Sequence, residues 1–221
     1  MFIQVVQDIV CPWCRIGHHN LETALDRWVE QGHDRPEVQW FPYQLDPINP
    51  HSNENFVERL TVRKGMKPEQ ISTMFDRVVS AGSAIGVHFH FDKIELAQNT
   101  VLAHQLIALA PVDRQEAVVK ALHDAYFDEG KNVEEISVLL DVARTAGIDE
   151  ADLPQLETDL RAEVRRGDVL AMIGQASTAG ITGVPFFIID GKLSLSGAQP
   201  PEVILQAMEQ AAAQQVPLHV S

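Results

Sequence analysis

The segments with strand-forming patterns lie only at the two ends of the chain, and this separation limits the fold more than any other feature. At the N-terminal end, Phe2-Ile3-Gln4-Val5-Val6 is a short apolar run of the kind that makes a buried strand. Val38-Gln39-Trp40-Phe41 makes a second, and Pro42 places its end at a sheet edge or exit. Between them Leu21, Leu25, Trp28 and Val29 recur at helical spacing. At the C-terminal end, Val184-Pro185-Phe186-Phe187-Ile188-Ile189 reads as a strand, Asp190-Gly191 as a two-residue hairpin turn, and Leu193-Ser194-Leu195-Ser196 as its alternating partner. A helix through Val169, Leu170, Ile173 and Ala176 precedes them and stops at Gly180. A last helix opens on Pro200-Pro201-Glu202 and carries Val203, Ile204, Ala207, Met208 and Ala211. The ends read β-α-β and α-β-β-α, so any sheet must draw on both of them and form one small α/β sandwich.

What separates the ends is helical. After a loop-like break at Pro47, Asn49, Pro50, Ser52 and Asn53, four apolar stripes follow at helical spacing. They run through Ile71–Ile85, through Leu102, Leu106 and Leu109, through Ala117, Val118, Ala121, Leu122, Ala125 and Tyr126, and through Ile136, Leu139, Leu140 and Ala143. Joints such as Asp128-Glu129-Gly130 and Ala146-Gly147 divide them. The expectation is a domain of four to six helices over residues 54–165, inserted into a discontinuous α/β domain formed by 1–53 and 166–221.

Of the 221 residues, 45% are hydrophobic, enough for a core that needs neither metal nor disulfide. With 17 basic against 31 acidic residues the net charge is −14, which argues against a nucleic-acid backbone or an anionic membrane as the main partner. No apolar stretch is long enough to span a membrane. Met1 leads into Phe-Ile-Gln-Val-Val without a basic n-region or an apolar h-region, so the expected location is cytoplasmic, where thiols stay reduced. Two cysteines exclude a disulfide-rich scaffold and an all-cysteine zinc site within one chain.

Both cysteines lie in Cys11-Pro12-Trp13-Cys14, between the first strand and the first helix. A helix N-terminus presents unpaired N–H groups and partial positive charge, so a thiolate at Cys11 is stabilised and its pKa is expected to be depressed. Pro12 fits the first turn, where its missing N–H has no intrahelical partner. Cys14, three residues on, is on the same side of the helix and within reach of Cys11. The bland readings are an inert pair or half of a zinc site. His18 and His19 follow too closely for zinc-finger spacing, and a strand–CxxC–helix arrangement is a redox signature. Val184-Pro185 is the second element: a cis bond there costs only about 0.5–1 kcal/mol and would present Val184 to an extended peptide, whereas a trans proline would simply open a strand. His88 and His90 share one face of an extended segment, an arrangement more often exposed alternation than a metal site. Asp8 either shuttles a proton for Cys11 or caps the turn, His104 either lines a cleft or flanks the core, and Trp28 and Trp40 are expected in the core.

Cys-Pro-Trp-Cys after a first strand, a helical insertion, and Gly183-Val184-Pro185-Phe186-Phe187 before a hairpin resemble the DsbA family of oxidoreductases over nearly the whole chain. Asp8-Ile9-Val10-Cys11-Pro12-Trp13-Cys14, with Asn99-Thr100 and His104, is similar to its FrnE-like subgroup. The resemblance implies an α/β thioredoxin-like fold interrupted by a large all-helical insertion domain, with Cys11 as nucleophile, Cys14 as resolving thiol and Pro185 in cis beside them. It also suggests Pro12, Trp13, Val184, Asn99 and His104 as substrate contacts. Periplasmic DsbA enzymes carry a signal peptide and commonly a histidine between the cysteines. This chain shows no such leader and has Trp13, which implies a weaker oxidant.

The reading is a dithiol–disulfide oxidoreductase or isomerase with no cofactor and no metal. Its partners would be protein or glutathione disulfides and thiols, and a second copy of the chain in a homodimer. The alternative is a glutathione-dependent small-molecule isomerase or transferase, akin to 2-hydroxychromene-2-carboxylate isomerases and kappa-class glutathione transferases. Those relatives typically carry serine where this chain has Cys11. A third reading is a chaperone-like binding protein with an apolar cleft in the helical domain.

Overall fold

The computed structural model describes residues 1–47, 54–62 and 64–214. Four strands, β1 (Phe2–Gln7), β2 (Glu37–Pro42), β3 (Phe186–Ile189) and β4 (Leu193–Ser196), form one sheet in the order β2-β1-β3-β4. β1 pairs in parallel with β2, Val5 opposite Trp40, and antiparallel with β3, Val5 opposite Phe187. The parallel pair needs a crossover, which α1 (Pro12–Glu30) supplies. Pro42 ends β2 on the sheet edge, where a missing N–H costs no ladder bond.

Two details at β3 differ from the pattern. The strand starts at Phe186, so Val184 and Pro185 lie before it. In the hairpin, Asp190 and Gly191 are both left-handed (φ 51° and 66°) and Lys192 N–H donates to the Ile189 carbonyl, as a two-residue turn requires. Yet Ile189 is paired with Leu193, so the connection is three residues long and Lys192 is the extra one.

Six α-helices lie among the described residues between 54 and 165: α2 (Phe56–Val62), α3 (Pro68–Ser83), α4 (Val101–Leu109), α5 (Gln115–Phe127), α6 (Ile136–Thr145) and α7 (Leu153–Arg161). α2 and α7 add to the four stripes read from periodicity. The loop-like break read at Asn49, Pro50, Ser52 and Asn53 lies outside the described residues. α8 (Arg166–Thr178) returns the chain to β2, and α9 (Pro201–Ala213) packs on α1, β3 and β4. The expected architecture, a small α/β sheet interrupted by a large helical insertion, is the one adopted.

One apolar cluster runs from Ile3, Val5, Phe187 and Ile189 on the sheet, through Leu21, Leu25 and Trp28 of α1, to Leu106, Leu122 and Leu139 in the insertion. The sheet and the helices therefore share a core, and the start of α1 is fixed on both sides. Among the described residues no helix is long and apolar enough to cross a membrane.

Candidate dithiol site

The site is built where β1 hands the chain to α1. Cys11 is the N-cap residue, extended at φ −90° and ψ 109°, with Pro12 in the first turn. Its N–H donates to the Asp8 carbonyl at 3.1 Å, and its carbonyl accepts the Cys14 N–H at 2.9 Å. The backbone thus closes the turn, and the Cys11 side chain makes no cap hydrogen bond. Its Sγ–H instead donates to the Val184 carbonyl at 3.6 Å, across 173 residues of sequence. The Val184–Pro185 bond is cis, the form the resemblance implies.

Both thiols are free and buried, Cys11 3% and Cys14 2% exposed. Burial pushes the Cys14 thiol well above the ordinary range, and its hydrogen bond to Cys11 pushes it further. Trp13, between two shielded sulfurs, is 39% exposed. It borders a cleft of about 510 Å³ whose other wall is α3, with Glu69, Gln70, Thr73, Met74 and Arg77. Pro12, Trp13, Val184 and Pro185 therefore surround Cys11 or extend its motif towards open space.

The other two suggested contacts are placed differently. Asn99 opens α4: its Oδ1 accepts the Val101 N–H and its own N–H donates to Glu134. His104 is 3% exposed, and its Nε2 lies 3.1 Å from the Tyr43 carbonyl and 3.5 Å from Asp8 Oδ1. It reaches the cysteine motif through Asp8, and it also borders a small cavity of about 30 Å³ with Gln7, Trp40, Pro42 and Ile107. Asp8, 1% exposed, accepts the Leu45 N–H on Oδ2 at 2.8 Å, so its carboxylate fixes the segment after β2 while its carbonyl holds the turn at Cys11. Trp28 and Trp40 are in the core as expected. His88 and His90 are exposed on either side of buried Phe89.

Two residues that shape the site were not singled out from the sequence. Arg15 donates to both oxygens of Asp128, to Asp124 and to the His88 carbonyl, and its guanidinium lies over the Phe89 and Phe127 rings. It fastens the first turn of α1 to α5. Gly17 lies under Pro185, where a β-carbon would not fit. A glycine inside an otherwise regular helix costs about 1 kcal/mol relative to alanine, and that cost is the signal of a close approach.

A family model described as a DSBA-like thioredoxin domain matches residues 2–209. The chain is similar to a probable DsbA oxidoreductase from Streptomyces coelicolor, with 30% identity and a TM-score of 0.84, over 100% of this chain and 94% of that one. It is 28% identical to the protein YwbO of Bacillus subtilis, over 93% of this chain and 94% of that protein. It shares its fold, at 16% identity and a TM-score of 0.62, with the cytosolic disulfide reductase DsbM of Pseudomonas aeruginosa, over 97% of this chain and 96% of that one.

Proposed function

We propose a function from the premise that this chain belongs to the DSBA-like thioredoxin domain family: it is a dithiol–disulfide oxidoreductase working through Cys11 and Cys14. Cys11 thiolate attacks one sulfur of a substrate disulfide. That S–S bond breaks, a mixed disulfide forms on Cys11, and the departing sulfur takes a proton. Cys14 thiolate then attacks Cys11 Sγ, releases the second substrate thiol and leaves a Cys11–Cys14 disulfide. Two electrons have passed to the substrate, and the reverse sequence oxidises a dithiol.

The observation that carries this reading is the meeting of Cys11, at the start of α1, with the Val184 carbonyl 3.6 Å away. A helix start favours sulfur anion, and the backbone at Val184 suits an extended peptide added as a further strand. Trp13 supplies an apolar face for it, and the α3 wall across the cleft sets Met74 among the polar Glu69, Gln70, Thr73 and Arg77. We assign the substrates to protein or glutathione disulfides and thiols, and the location to the cytosol, where the dithiol form is maintained. The α/β unit is assigned to 1–53 and 166–221, and the insertion to 54–165. The glutathione-dependent isomerase reading is weaker, because both motif positions carry thiols.

Reduction of insulin disulfides by dithiothreitol tests the proposal. Catalysis is expected from the native chain and lost in Cys11→Ser. Undiminished catalysis in Cys11→Ser overturns it, and prevention of aggregation without exchange supports a binding protein instead.

A further inference from the structure

We propose that the chain binds one divalent transition-metal ion of the zinc class between α1 and α5, on His18, Glu22 and Glu116. One donor atom from each lies within 4.8 Å of the others. His18 Nε2 is 3.9 Å from Glu22 Oε1 and 4.0 Å from Glu116 Oε1. These gaps are too long for hydrogen bonds, and a small inward movement brings three donors to metal bonds of about 2.0–2.2 Å.

The independent sign is the imidazole. His18 is 4% exposed, and its Nε2 has no hydrogen-bond partner among the described residues. A buried nitrogen without a partner is costly, and coordination would satisfy it. The ring is held edge-on to Trp40, centroids 4.9 Å apart.

The carboxylates point to the same ligand. Glu22 is one helical turn beyond His18 on α1, and Glu116 belongs to the first turn of α5. They bring negative charge to the buried imidazole from both helices. Arg35 meets part of it, donating to Glu116 Oε1 at 2.8 Å, while the Lys120 ammonium is held by Asp124. A cavity of about 140 Å³, bordered by His18, His19, Glu22 and His123, leaves room for water to complete the coordination. One imidazole, two carboxylates and a water suit zinc, with the harder manganese ion a poorer match. The ion would clip the helix that carries the cysteines to the insertion, one turn beyond Cys14.

Zinc chloride titrated into the full chain carrying Cys11→Ser and Cys14→Ser, which removes thiol ligands, tests the site by calorimetry and thermal unfolding. Saturation at one equivalent and a raised unfolding midpoint are expected. Glu22→Gln and Glu116→Gln keep side-chain shape and should each weaken binding by more than about tenfold, the loss seen even for outer-shell partners. X-ray absorption should show an imidazole nitrogen on the bound zinc. Absence of saturable binding overturns the proposal. So does binding that neither glutamine variant weakens, which would place the ion elsewhere, for example on exposed His88 and His90.

Discussion

Gly17 and Pro185 claim the same space: a β-carbon on residue 17 would stand 2.7 Å from Pro185 Cγ and 3.3 Å from the Phe187 ring. The loop that faces Cys11 is seated on α1 only because that helix carries hydrogen there. Gly17→Ala gains about 1 kcal/mol of helix propensity but forces Pro185 and the start of β3 outward, at an overpacking cost of about 1–3 kcal/mol. The expected result is a lower urea midpoint together with a slower exchange rate, both cysteines being intact. An alanine variant of unchanged rate and stability would contradict the close contact.

Cys14→Ser leaves a mixed disulfide on Cys11 with no intramolecular exit. Adducts should accumulate on non-reducing gels of cell extract and disappear with reductant. Adducts of many sizes mark protein substrates, and a single glutathione-sized mass increase marks the small thiol.

In the Cys11→Ser variant the largest cause of the raised Cys14 pKa, burial, remains. Cys14 should therefore react with iodoacetamide more slowly than a free cysteine at pH 8, and speed up only above the ordinary thiol pKa of about 8.5. The unfolded chain loses this thiol proton first as pH rises, so stability should fall above that value. Rapid alkylation at neutral pH would count against the shielding of Cys14.

Burial holds His18 and His123 neutral in the folded chain, far below the pH at which free imidazoles charge. Below about pH 6.5 the unfolded chain binds protons there that the folded chain does not, so each ring removes up to about 1.4 kcal/mol of stability per pH unit. Denaturation midpoints from pH 7.5 to 5 should fall accordingly. His123→Gln should flatten the slope by one proton's share.

Arg15 is 11% exposed at its side chain and holds Asp124 and Asp128, which are 35% and 37% exposed. Arg15→Ala should destabilise the chain by about 2–3 kcal/mol, less than a fully buried pair because water screens the carboxylates. Arg15→Lys should recover little, since a point charge cannot reproduce the fork on Asp128. Full recovery by lysine would mean that only charge matters there.

The cysteine pair, the helix start and the proline facing it were legible because each is a local signal: CxxC between strand and helix, proline in a first turn, Val-Pro before an apolar run. The juxtaposition of Cys11 with Val184 came from the resemblance, since no local pattern joins residues so far apart. Asn99 and His104 were legible as residue types but not as positions: Asn99 proved to precede the N-cap of α4 and to accept the Val101 N–H, and His104 faces Asp8 inside the core. Arg15, Gly17 and the triad on His18, Glu22 and Glu116 depend on how α1 meets α5 and β3, and helix-on-helix contact leaves little trace in linear spacing. The hairpin shows the same limit, its turn residues being right and its register one residue longer.

The sheet pairs the first strand with the one that begins at Phe186, and this has a consequence during synthesis. On a ribosome adding about 5–20 residues per second, on the order of ten to thirty seconds pass between the making of Cys11 and of Val184. Through that interval the nascent chain carries both thiols, yet the strand and loop that enclose them do not exist. The dithiol is thus most accessible while the protein is still being made, and its enclosure is among the last acts of folding.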